Sequence, residues 1–148
     1  MNTTIYDFEE IKKILPHRYP FIFLDRMVME ENGEAVAYKN VTNCEYLFVD
    51  PQTKKRTFPP LFIIEAMGQA GIIFFDRQVP NLSGKHFQYL FAGLDDVEFY
   101  ADVLPGDKLQ LRIQFDKIVS NATIISALAT VNDKLVAKAK LSVSIREK

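Results

Sequence analysis

The eighteen residues from Phe58 to Phe75 carry a single charged side chain, and no other stretch limits the fold as strongly. The run predicts a buried helix. Pro59 and Pro60 suit a helix start, where the first N–H groups have no acceptor within the helix. Asp76 and Arg77 mark the return to water. Apolar residues fall on every side of such a helix, so the rest of the chain must enclose it. It is short for a membrane span.

Inside this run stands Glu65, with Gly68 and Gln69 three and four residues on, so all three share one helix face. An ionised carboxylate beside Ile64, Met67 and Ile72 costs several kcal/mol unless a partner reaches it. Two readings follow. Either Gln69 and backbone groups satisfy Glu65, or it faces a ligand cleft with a raised pKa. It is expected to be largely buried, near a dimer interface. Gly68 and Gly71 weaken the helix, which predicts that another backbone packs closely on it.

The 148 residues are read as one domain, residues 1–148, long enough for a proper core. A net charge of -1 leaves no basic excess to neutralise phosphates, so nucleic acid is not an expected partner. Cys44 is the one cysteine, which excludes an internal disulfide and a cysteine zinc site, and it is read as a small strand residue. No cofactor and no metal is expected. Residues Met1 to Asp7 have neither a basic start nor an apolar core, so a cytoplasmic, non-membrane protein is expected.

Along the chain, Asp7 caps a short helix with Glu10 in the capping-box position, and Pro16 ends it. Phe21 to Met29 predicts a first strand, Asn32-Gly33 a tight hairpin, and Glu34 to Val41 the return. Val79 to Lys85 reads as loop and Phe87 to Phe99 as a long strand. Pro105-Gly106-Asp107 is a turn. Beyond it Leu109, Leu111, Ile113 and Phe115 alternate with polar residues, as do Leu135, Ala137, Ala139, Leu141, Val143 and Ile145 near the end. Ser120-Asn121 and Asn132-Asp133 separate these strands. Several long antiparallel strands and one apolar helix imply an α+β fold in which a curved sheet wraps a central helix.

The stretches Leu15-Pro16-His17-Arg18-Tyr19-Pro20-Phe21, Asp25-Arg26, Lys39-Asn40-Val41-Thr42, Phe58-Pro59, Leu61 to Gln69, Phe91-Ala92-Gly93-Leu94 and Leu104-Pro105-Gly106-Asp107 together resemble the FabZ-type (3R)-hydroxyacyl-[acyl carrier protein] dehydratases. The likeness covers nearly the whole chain. It implies the hot-dog fold, a dimer with sites at its interface or a trimer of dimers, and an acyl carrier protein or CoA thioester as partner. The family's catalytic Glu, in a Glu-Ala-Xaa-Xaa-Gln pattern, falls on Glu65, with Ala66 and Gln69 following.

Two family features are missing. The catalytic His of a Gly-His-Phe-Pro loop would stand at position 51, where the chain has Asp50-Pro51 in the loop Val49 to Thr57. The family's Pro-Gly at the helix start is Pro59-Pro60, which removes one N–H donor to a thioester oxygen. Leu61 and Phe62 still offer N–H groups at the positive helix end, so they and Gln69 are the expected substrate contacts. A general acid–base group contributes about 10²–10⁴-fold and an oxyanion donor about 10²–10³-fold. His17 and His86 are read as structural, and neither is expected within hydrogen-bond reach of Glu65.

Three functions follow in order. The first is a thioester-binding subunit that pairs with a His-bearing paralogue. The second is an acyl thioesterase using Glu65, and the third a residual dehydratase. Lys54, Lys55 and Arg56 form a basic cluster, solvated or able to attract an acidic carrier protein.

Overall fold

The computed structural model describes residues 2–79, 87–119 and 121–147. The elements run β1 (Thr3–Tyr6), α1 (Phe8–Ile14), β2 (Arg26–Glu30), β3 (Ala35–Asn40), β4 (Phe48–Val49), β5 (Arg56–Thr57), α2 (Pro60–Gln78), β6 (Phe87–Phe99), β7 (Lys108–Val119), β8 (Ala122–Val131) and β9 (Lys134–Glu147). Seven strands form one antiparallel sheet in the order β1-β2-β3-β7-β8-β9-β6, and β4 pairs with β5 alone. The helix α2 packs against β3, β6, β7, β8 and β9. This is the α+β hot-dog arrangement of a sheet wrapped on one long helix.

The local chemistry explains most of these elements. Asp7 accepts the Glu10 N–H at 2.9 Å while Glu10 accepts the Asp7 N–H at 3.0 Å, so α1 begins with a complete capping box. At Asn32-Gly33, the Glu34 carbonyl accepts from Glu30 N–H at 2.8 Å, and Gly33 takes the positive φ of 86° that its lack of a Cβ allows. On β7, Leu109, Leu111 and Ile113 turn inward and are buried, while Arg112 and Gln114 face solvent. Pro59 is the N-cap of α2, Pro60 its first residue, and every residue from Ile63 to Phe75 except Glu65 is buried. Among the described residues no helix is long and apolar enough to cross a membrane.

Five local expectations are revised. The strand expected from Phe21 begins only at Arg26, because the backbone of Phe21 and Phe23 bonds to the Gln69 side chain instead of a neighbouring strand. The expected loop Val49 to Thr57 is a hairpin: the Asp50 N–H donates to Lys55 O at 2.9 Å, and the Asp50 carboxylate accepts from Gln52 and Thr53. On β9 the inward face changes after Leu135, which is exposed while Val136 is buried, because a register shift opposite Ala129/Thr130 inserts one residue. Gly68 and Gly71 face the side chains of Phe91 and Ile125 rather than another backbone. Cys44 lies exposed in a turn, outside any strand. The expected loop from residue 80 onward, His86 and Ser120 lie outside the described residues.

Candidate functional site

Glu65 sits in the second turn of α2 and is the one residue from Ile63 to Phe75 that is not buried, its side chain 28% exposed. Helix geometry places Phe62 one turn before it and Gly68 and Gln69 one turn after, on the same face. Gln69 is fully buried, and its amide makes three hydrogen bonds. Its Oε1 accepts from Phe23 N–H at 2.9 Å, and its Nε2 donates to Phe21 O at 2.8 Å and to Glu65 Oε1 at 3.1 Å. One amide thus ties the segment after the Pro16–Pro20 turn to the helix and holds the carboxylate. Expected as a substrate contact, Gln69 has both amide hydrogens engaged inside the core; what it touches is protein.

The turn it anchors delivers His17. Arg18 folds back to donate to the carbonyls of Leu15 at 2.8 Å, His17 at 2.7 Å and Lys12 at 3.2 Å, closing the end of α1 and fixing the backbone on both sides of His17. The imidazole Nε2 then lies 3.2 Å from Glu65 Oε1, with the His17 side chain 23% exposed. This overturns the expectation that His17 would stay out of reach of Glu65. The family comparison of loops pointed only to position 51, whereas the turn that carries His17 is brought to the helix by Gln69 from 48 residues away in sequence. The other imidazole nitrogen, Nδ1, is buried without a partner among the described residues. Nε2 is the nitrogen that meets Glu65.

The same contact perturbs the Glu65 pKa, as expected, but opposite to the rise that the ligand-cleft reading carried. The hydrogen bond from His17 is the largest cause and holds the carboxyl below its ordinary value, outweighing the upward push of burial, with Gln69 adding in the same direction. The group is a carboxylate at neutral pH. A carboxyl depressed in the folded state stabilises the protein above its unfolded pKa, and that contribution is lost as pH falls through the folded value. Wild type should therefore lose stability relative to Glu65→Gln as pH drops below about 4.5, the ordinary glutamate value. Chemical denaturation at pH 6 and at about pH 3.5 checks this; parallel losses in the two proteins would show that the pair carries no coupling.

The helix start differs from expectation in one respect. The Phe62 N–H donates to Pro59 O at 2.9 Å, so it is already engaged, while the Leu61 side chain stands exposed beside it. Phe62 contributes a ring instead: Phe21, Phe23, Phe58 and Phe62 form a cluster with neighbouring centroids 4.9–5.9 Å apart beside the start of α2. At the other departure from the family pattern, Asp50 is held as an anion by the N–H groups of Thr53 and Gln52. Asp50 and Pro60 line one cavity of about 550 Å³ with Phe48, Thr53, Lys55, Thr57 and Asp102, and Lys55 pairs with Asp102 at 3.2 Å. The cluster Lys54, Lys55 and Arg56 is exposed on this hairpin.

A buried helix carrying a Glu-Ala-Xaa-Xaa-Gln pattern, faced by a turn-borne His within a wrapped sheet, defines a class. Residues 15–140 match the family model described as the FabA-like domain. Among curated relatives, the 3-hydroxyacyl-[acyl-carrier-protein] dehydratase FabZ of Campylobacter fetus subsp. fetus (strain 82-40) is 40% identical over 146 residues, covering 96% of this chain and 99% of its own. That of Clostridium botulinum (strain Loch Maree / Type A3) is 41% identical, covering 91% and 92%. The chain therefore belongs to the FabZ-type dehydratase family. In fold it is similar to the dehydratase heterocomplex ApeI:P from Xenorhabdus doucetiae, with a TM-score of 0.73 at 14% identity, covering 93% of this chain and 91% of that one.

Proposed function

We propose that this chain binds 3-hydroxyacyl or enoyl thioesters of an acyl carrier protein and interconverts them, with His17 and Glu65 as the proton-transfer pair. The observation that carries the reading is the 3.2 Å contact between His17 Nε2 and Glu65 Oε1, at a carboxylate kept ionised by that contact. The Glu65 carboxylate takes the proton from the carbon next to the thioester carbonyl. The double bond forms as the bond from the third carbon to its hydroxyl oxygen breaks. The hydroxyl leaves as water with the Nε2 proton of a protonated His17. Passage of the proton from Glu65 to His17 across their contact restores the starting state. Leu61, at the positive end of α2, is the remaining candidate to face the thioester oxygen. The chain is a single domain on this reading, and the free edge of β6 with its exposed Leu90, Phe91, Leu94 and Phe99 is where a second copy would pair.

A second reading is favoured by the ordered hairpin at Asp50–Lys55, which stands where the resemblance puts the loop histidine. On it, the chain supplies Glu65 to a paralogue that supplies the missing His; a heterocomplex of that general kind is what the ApeI:P structure is named for. One assay separates the readings. Hydration of crotonyl-pantetheine thioester is measured with the purified chain alone and then with a Gly-His-Phe-Pro-bearing protein of the same genome. Activity alone, lost in Glu65→Gln, supports the His17–Glu65 centre. Activity only in the mixture supports the subunit role, and release of free thiol in place of hydration supports thioester hydrolysis.

A further inference from the structure

We propose that Arg18 is a positioning residue of this site, tying the backbone of His17 to the end of α1 and so setting the distance at which the imidazole meets Glu65, a role that rests on the His17–Glu65 reaction above. The need for such a group follows from the imidazole itself. A histidine that moves protons is ordinarily oriented by a second hydrogen bond, at the ring nitrogen turned away from the chemistry. In His17 that nitrogen is Nδ1, and it is buried with no partner among the described residues. Only the Nε2 contact with Glu65, at 3.2 Å, holds the ring, so its place depends on the backbone that carries it.

Two side chains hold that backbone, one on each side of the turn. Gln69 of α2 takes the stretch after it, at Phe21 and Phe23. Arg18 takes the stretch before it: Nη1 donates to Leu15 O at 2.8 Å and to His17 O at 2.7 Å, and Nη2 to Lys12 O at 3.2 Å. The Arg18 carbonyl accepts from Phe21 N–H at 2.8 Å, which closes the turn between the two ties. The helix end to which Arg18 fastens is itself fixed. Ile11 is fully buried, Leu15 is buried beside it, and α1 packs on α2, β1 and β2. A cation there also meets the negative end of the helix. The planar guanidinium carries donors on separate arms and serves three carbonyls at once, whereas a lysine ammonium in its place is a single point.

The test measures kcat and KM for hydration of crotonyl-pantetheine thioester by the purified chain, together with the titration of the Glu65 carboxyl by carbon-13 NMR. Arg18→Met and Arg18→Lys are both expected to lower kcat by about 10–100-fold with KM within about twofold of wild type, since displacing a reacting group by about 1 Å costs up to about 10²-fold while the substrate keeps its own contacts. In both variants the Glu65 carboxyl should titrate higher, toward the ordinary value of 4.5, because His17 no longer holds it down. Arg18→Lys keeps the charge, so a shift shared by the two variants is one of position, and it serves if Arg18→Met does not fold. Ile11→Val loosens the packing of α1 and leaves the guanidinium untouched; it should lower the thermal midpoint without moving kcat or the carboxyl titration. A raised titration in the Arg18 variants of a chain that hydrates nothing upholds the role of Arg18 and overturns the reaction assigned above. A Glu65 titration that neither substitution moves, that only Arg18→Met moves, or that Ile11→Val moves as far overturns the proposal, as does an unchanged kcat in both Arg18 variants of an active chain.

Discussion

Glu65→Gln is expected to lower turnover of crotonyl-pantetheine thioester by about 10²–10⁴-fold, the range for a group that moves a proton in the rate-limiting step. The amide is nearly isosteric and can still accept from Gln69, so the thermal midpoint should change little. His17→Gln should cost a similar factor. The double variant should be little worse than the poorer single one, because each residue is useless to the reaction without the other, and groups that act as a unit do not contribute additively. The pH profile gives an independent readout. If His17 only braces the carboxylate, then His17→Gln should shift the acid limb upward, toward the ordinary glutamate pKa, while leaving the maximal rate within a few-fold of wild type. If it carries the proton, the maximal rate itself falls. Full activity in Glu65→Gln would remove the pair from the chemistry altogether.

Most of the architecture could be read from the residues because its causes are local. The apolar run Phe58 to Phe75 has no way to meet water and so becomes the helix at the centre. The alternation from Leu109 to Phe115, together with Gly33 and Gly106 at positive φ, accounts for strands and turns. The errors occur where a distant group replaces a local one. Phe21 to Asp25 has strand-like composition, yet its Phe21 carbonyl and Phe23 N–H are met by a side chain from α2. His17 looked structural because sequence proximity offers it no partner, and the carboxylate that meets it belongs to the helix that Gln69 ties to the same turn. The raised Glu65 pKa of the ligand-cleft reading fails for the same reason: an apolar neighbourhood favours a rise, and one imidazole at hydrogen-bond distance outweighs it. The signal that could have placed His17 was Gln69 itself, a polar residue on the face of Glu65 in a helix with no other interior amide.

Gln69→Leu should be the most destabilising single change near the site. Leucine fits the volume but leaves the Phe23 N–H and the Phe21 carbonyl without their partner, and Phe23 is buried. An unmet buried backbone group costs about 1–3 kcal/mol, and the Phe21 carbonyl, on a residue 42% exposed, adds less, so the change costs roughly 2–4 kcal/mol. At about 2–4 °C per kcal/mol, the midpoint should fall by roughly 4–16 °C. A midpoint within about 2 °C of wild type would mean that the turn is held by other contacts. Gln69→Glu separates the two jobs of this side chain. A carboxyl there can still accept from Phe23, but when ionised it has no hydrogen to give to Phe21, and it stands at hydrogen-bond distance from Glu65. Two carboxyl groups that close do not both ionise, so one proton should be retained and the acid limb of the activity profile should rise by one pH unit or more. The same variant should gain stability as pH falls toward 5, while wild type does not, because protonating one member of the pair relieves its repulsion and returns a donor to the Phe21 carbonyl.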